Sequence, residues 1–170
     1  AVVLPSLFEE QIAHELATVD ELSGLEADAH PEAIGGYTPE LDAYNAGATR
    51  YVRLVREARE ALGIPVIASL NGVTRGGWTR YAAMLADAGA HAVELNVYRV
   101  AADPAVTGRQ VETETLELVE AVRAASPVPI AVKVGPHWSA FADMARRLAD
   151  AGADGIVLFN RFYQPDIDVD

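Results

Sequence analysis

An α/β fold built as part of a (β/α)8 barrel is what three features of this sequence predict. Five short runs are apolar almost throughout instead of alternating with polar residues, which marks strands buried in a parallel sheet under covering helices. Segments with helical apolar spacing separate those runs, so strand and helix alternate along the chain. The chain also repeats itself: Leu85-Ala-Asp-Ala-Gly-Ala90 recurs as Leu148-Ala-Asp-Ala-Gly-Ala153, and Ile64-Pro65-Val66-Ile67-Ala68 is echoed by Val128-Pro129-Ile130-Ala131-Val132. A two-unit β/α repeat suggests quarters of an eightfold barrel. A closed barrel has eight strands and about 250 residues, so residues 1–170 are expected to form one partial barrel domain. A doubly wound open sheet is the alternative, but no glycine-rich dinucleotide turn supports it.

The first strand is predicted over Ala1–Ser6. Ser6 can cap the next helix, with Glu9 completing a capping box, and that helix is expected to reach about Glu21 with Leu7, Ile12, Leu16 and Val19 on one face. Residues 22–47 lack periodicity, hold glycine, proline and many acids, and read as a long excursion. Helix returns from Thr49 to Leu62, where Arg50, Arg53, Arg56 and Arg59 with Glu57 and Glu60 mark a solvated face. The strand Pro65–Leu70 then ends in Asn71-Gly72, and a helix over Trp78–Ala88 follows Gly76-Gly77. His91–Asn96 is the third strand, and 97–109 the loop after it. A helix over Val111–Ala125, a strand over Val128–Val134, a helix over Ala140–Ala151 and a strand over Asp154–Asn160 complete the pattern.

Composition removes several classes of function. A net charge of -12 argues against nucleic acid or anionic membrane as partner, since both call for basic patches. The absence of cysteine excludes disulfides, thiolate metal sites and a cysteine nucleophile. The four histidines show no metal-ligand spacing, no apolar run reaches membrane-spanning length, and no signal peptide opens the chain. A cytoplasmic protein acting on a small molecule is expected, and an exposed sheet edge in a partial barrel would drive self-association as a homodimer.

Lys133 is the sole lysine beside twelve arginines, and it sits in Pro129-Ile130-Ala131-Val132-Lys133-Val134-Gly135-Pro136, where an apolar strand runs into a Gly-Pro stop. Arginine is a permanently charged fork, whereas lysine is a compact charge on a flexible stem. A lone lysine there reads as chosen for chemistry; the plain alternative is a strand-end lysine reaching for solvent. Barrel sites lie at the C-terminal ends of strands. Those ends read Ser6, Asn71, Asn96, Lys133 and Asn160, a polar ring on an apolar scaffold. Asparagine both donates and accepts, which suits a planar heterocycle of alternating carbonyl and N–H groups. Each asparagine alone can equally be a turn or cap residue. A lysine aimed at such a ring can hold negative charge that develops during reaction; a Schiff-base lysine is the other chemistry this residue offers.

At these residues the sequence resembles the dihydroorotate dehydrogenase family of FMN-dependent (β/α)8 barrels. Ala-Val-Val-Leu-Pro-Ser-Leu-Phe-Glu-Glu-Gln, Val-Glu-Leu-Asn and Val-Lys-Val-Gly-Pro carry the resemblance, which covers the chain from what would be barrel strand two to strand six. It implies an FMN cofactor, a dihydropyrimidine substrate such as dihydroorotate, and roles by position. Lys133 matches the lysine near flavin N1 and O2, Asn96 the asparagine that binds flavin and substrate, and Asn160 the asparagine that holds the pyrimidine. Asn71 joins the substrate side, and Ser6 falls where the second strand approaches the flavin. Two departures stand out. Pro5 occupies the place where the family usually has lysine before the serine, and Arg99 falls where the soluble enzymes carry a cysteine base. Arginine cannot serve as base at neutral pH, so Tyr98 and Thr107 of the 97–109 loop are the candidate catalytic groups. The glycine-rich loops on which the family seats the FMN phosphate follow strands seven and eight, beyond these residues.

Overall fold

The computed structural model describes residues 1–10, 12, 46–72, 74–99 and 101–160. The remainder of the helix expected after Ser6, and the excursion up to residue 45, lie outside the described residues. The described chain runs β1 (Val2–Phe8), α1 (Ala46–Ala61), β2 (Val66–Asn71), α2 (Arg75–Asp87), β3 (Ala92–Val97), α3 (Gly108–Ala125), β4 (Ile130–Val134), α4 (Phe141–Asp150) and β5 (Gly155–Leu158).

All five strands form one sheet in the spatial order β1-β2-β3-β4-β5, and every neighbouring pair is parallel. Spatial order equal to sequence order means the sheet advances in one direction. A doubly wound sheet reverses its strand order at a switch point; this one never does. The sheet is therefore an arc of a (β/α) barrel, with a helix-covered outer face and a concave inner face. Val66, Ala68, Leu70, Val93, Leu95, Ile130, Val132 and Val134 are fully buried, and all but Val66 belong to one apolar core with Val55, Leu85, Val119, Val122 and Leu148. Their strand neighbours Ile67, Asn71, Asn96, Ala131 and Lys133 are only partly covered and take the other face. The strands are thus two-faced: the outer side is uniformly apolar, and the inner side turns polar toward the C-terminal ends.

The internal repeat is a repeated helix ending. Gly89 has φ 99° and Gly152 φ 104°, in the left-handed region that L side chains avoid. At each, the chain makes the paired bonds of a Schellman motif: Gly89 N–H to the Ala86 carbonyl with Ala90 N–H to Leu85, and Gly152 N–H to Ala149 with Ala153 N–H to Leu148. Both copies turn the chain straight into the next strand.

Three local expectations are corrected. Ser6 is not a helix N-cap: the first strand extends to Phe8, Ser6 lies inside it, and its hydroxyl bonds to that of Ser69 at 2.8 Å. Glu9 accordingly completes no capping box there; its carboxylate accepts from Thr74 N–H at 2.9 Å and Thr74 Oγ1 at 2.6 Å. The second described helix starts at Arg75 rather than Trp78, because Thr74 caps it by accepting from Gly77 N–H. Gly77 lies inside the helix and has a packing role, since a Cβ there would fall 2.0 Å from Glu9 Oε1. The arginines of α1 are exposed as expected. Among the described residues no helix is long and apolar enough to cross a membrane.

Candidate functional site

The register of the sheet decides which side chains meet on the inner face. Val3 pairs with Ile67, yet Ser6 pairs with Ser69, so β1 carries an extra residue between them. That bulge lies at Leu4-Pro5, where proline has no N–H to offer a ladder. Side-chain facing alternates along a strand, so without the extra residue Ser6 would point to the helix side. With it, Ser6 stands in line with Ser69, and Ser69 with Glu94 of β3.

Tyr51 of α1 closes the gap left by the bulge. Its hydroxyl accepts from Ser69 N–H at 3.0 Å and lies within hydrogen-bond reach of the carbonyls of Pro5 and Ser69, to which it can donate. Unpaired buried backbone groups are costly, and here one phenol serves both strands. Burial pushes the Tyr51 hydroxyl up to about 12, against the lowering effect of the Ser69 backbone and with the nearby Glu94 carboxylate adding to the rise.

From Ser6 a chain of hydrogen bonds crosses four strands. Ser6 Oγ meets Ser69 Oγ, Ser69 Oγ donates to Glu94 Oε1 at 3.0 Å, and Lys133 Nζ donates to the same oxygen at 2.6 Å. The Glu94 side chain is 5% exposed and that of Lys133 22%, so the acid is enclosed and the amine stands at the opening. One layer toward the C-terminal ends, Asn96 pairs across the sheet with Lys133, and Asn160 donates its side-chain N–H to Asn96 Oδ1. Asn160 also ties its backbone N–H to the Val134 carbonyl at 2.9 Å, which fixes its place beside β4.

Lys133, Asn96, Asn160 and Ser6 therefore converge on one face at its C-terminal half. Asn71 and Tyr98 instead line a neighbouring cleft of about 690 Å³, with Trp78, Arg75, Arg99 and Glu114 on its walls. Two ion pairs frame that cleft, Arg75 to Glu117 and Arg99 to Glu114. Thr107 is the N-cap of α3: its backbone N–H donates to Gln110 Oε1 at 2.8 Å and its hydroxyl accepts from Gln110 N–H, a reciprocal capping box, while the hydroxyl also lies 2.9 Å from Gln110 Oε1.

Glu94 and Tyr51 escaped the sequence reading. Glu94 had a signal, being the only charge in His91-Ala92-Val93-Glu94-Leu95-Asn96 and two residues before Asn96, hence on its face. Tyr51 had none, because its role depends on a bulge in a distant strand.

The donors present suit the polar edge of a planar heterocycle. An ammonium group has three N–H donors, of which one is on Glu94, and the paired asparagine amides add donors and acceptors in the adjoining layer. Among the described residues no group of three or more His, Asp or Glu side chains is placed to hold a metal ion.

No family model matches the chain. Curated relatives do. The catalytic subunit of dihydroorotate dehydrogenase B (NAD(+)) from Cutibacterium acnes is 34% identical over 131 residues, covering 75% of this chain and 41% of that protein. A protein of Aeropyrum pernix assigned as dihydroorotate dehydrogenase A (fumarate) is 30% identical over 144 residues, 79% of this chain and 44% of its own length. The corresponding B-type catalytic subunit of Geobacillus kaustophilus is 28% identical over 144 residues, 81% and 45% respectively. The chain thus spans less than half the length of the curated relatives it matches. Among solved structures, dihydrodipicolinate synthase from Oceanobacillus iheyensis aligns with a TM-score of 0.49 at 17% identity, over 64% of this chain and 34% of that one.

Proposed function

We propose, for a chain that belongs to the dihydroorotate dehydrogenase family, that it supplies the flavin- and substrate-facing arc of an FMN-dependent oxidoreductase acting on a dihydropyrimidine, with dihydroorotate as the first substrate to test. The observation that carries this reading is the position of Lys133: the only lysine of the chain, on the inner face, one strand from the Asn96–Asn160 amide pair.

FMN, when bound, supplies the hydride acceptor. Lys133 would supply a positive charge to the pyrimidine edge of a bound flavin, and a fixed charge in an enclosed site acts more strongly than the same charge in water. Asn96 and Asn160 would hold planar groups by complementary hydrogen bonds from their side-chain amides, and their mutual contact orients them before a ligand arrives. Ser6 closes the far end of the row. Tyr98 and Thr107 are the two candidate bases: the Thr107 hydroxyl takes part in the α3 cap, and Tyr98 lines the neighbouring cleft together with Asn71. The relatives' names carry two electron acceptors, fumarate and NAD(+), so the acceptor is left unassigned.

Lys133→Ala in the full-length protein tests the proposal by stopped-flow reduction of bound flavin. Removing a charge-assisted contact worth about 1.5–3 kcal/mol lowers the reduction rate at least roughly ten-fold; an unchanged rate would remove Lys133 from the mechanism.

A second reading rests on Arg99. It occupies the place of the family's cysteine base and is tied to Glu114. A family flavoprotein with a different substrate accounts for that replacement, and a flavin that dihydroorotate leaves oxidised while another dihydro-heterocycle reduces it would select this reading.

A further inference from the structure

We propose that Glu94 is the positioning residue of Lys133, oriented in turn by Ser69 and Ser6. This deepens the flavin reading and rests on it. The cross-strand partner of Lys133 is Asn96, whereas the cross-strand partner of Glu94 is Ala131. The lysine stem therefore leans diagonally, two residues back along the neighbouring strand, to bring Nζ within 2.6 Å of Glu94 Oε1. A lysine side chain that adopts one such direction gives up rotamer freedom, so a specific contact must hold it there.

Glu94 is equipped for that. The residue is only 4% exposed, and an enclosed carboxylate is tolerable only when paired and hydrogen-bonded. Its Oε1 accepts from Ser69 Oγ as well as from Lys133, and Ser69 Oγ is bonded to Ser6 Oγ. Ser6 faces this row only because of the Leu4-Pro5 bulge. The bulge, the two hydroxyls and the acid thus form one continuous support that ends on the amine. Glu94 touches no ligand in this scheme; it acts through Lys133.

The sole lysine makes the idea measurable without flavin. In the full-length protein, the peptide containing Lys133 is followed by mass spectrometry during acylation with acetic anhydride. Glu94→Gln, which keeps shape but removes the charge, is expected to speed acylation of Lys133 roughly ten-fold as the amine is released; Ser69→Ala is expected to speed it by a smaller factor. In flavin-loaded protein the same Glu94 variant lowers kcat with KM little changed, because the lysine acts on charge that arises during reaction. Unchanged acylation in a folded Glu94→Gln protein overturns the proposal. If that variant fails to fold, Ser69→Ala is judged by the same criterion. Faster acylation in a protein that binds no flavin supports the positioning role and defeats the flavin reading. Bound flavin with unchanged acylation does the reverse.

Discussion

Asn160 donates its side-chain N–H to Asn96 Oδ1 across 64 positions of sequence. Asn96 lies inside β3 and Asn160 two residues past the end of β5, and each of those strands follows a Leu-Ala-Asp-Ala-Gly-Ala turn. The repeat thus delivers two amides to one spot, on either side of the strand that carries Lys133. Asn160→Ala is expected to weaken dihydropyrimidine binding roughly ten-fold while changing stability by about 1 kcal/mol or less, since a single partly exposed hydrogen bond is lost. Ligand titration beside a denaturant melt separates the two effects.

Tyr51→Phe leaves Ser69 N–H and the bulged strand without their shared partner. Burying an unsatisfied donor costs about 1–3 kcal/mol, so the urea midpoint should fall with the slope of the transition unchanged. A variant as stable as the parent would show that the hydroxyl does not support the bulge.

The same hydroxyl sets an alkaline limit. Its ordinary value is 10.0 and burial raises it to about 12 in the fold. Between those values the folded state holds a proton that the unfolded state has released, so stability declines as pH rises through that window, by an amount on the order of 2–3 kcal/mol when complete. Tyr51→Phe should flatten this decline. Stability curves from pH 9 to 12, roughly the window set by the tyrosine reference value, check the sign directly.

Gly89 and Gly152 share a backbone conformation but not an environment. A Cβ at Gly89 would meet only Arg59 Cγ at 3.5 Å, whereas one at Gly152 would fall 2.6 Å from Arg123 Cγ. Arg123 also pairs with Asp154 at 3.0 Å, and Asp154 Oδ2 accepts from Ile130 N–H at 2.9 Å at the start of β4. Each alanine substitution carries the left-handed penalty of about 1–2 kcal/mol, and Gly152→Ala should cost measurably more by displacing Arg123. Equal melting temperatures for the two variants would exclude that coupling.

Much of this was legible in the sequence, for identifiable reasons. Uninterrupted apolar runs such as Ile130-Ala131-Val132 gave the strands, and the repeated Ala-Gly-Ala endings gave the helix boundaries, because both signals are local. Lys133, Asn96 and Asn160 were found at strand ends because such sites cluster there. The failures were tertiary. Ser6 with Glu9 has the local chemistry of a capping box, yet Ser69 and Thr74 take those two side chains. The Gly76-Gly77 pair reads as a break until Thr74 is seen to cap the helix around it. The pairing of Glu94 with Lys133 depends on register, which no single stretch of sequence encodes.

The most direct test of the central claim is the visible absorption spectrum of the full-length protein, recorded before and after anaerobic addition of dihydroorotate. A flavin spectrum that bleaches on addition is the predicted result, and it would establish both cofactor and substrate. A protein that carries no flavin, and takes none up when FMN is supplied, would contradict it.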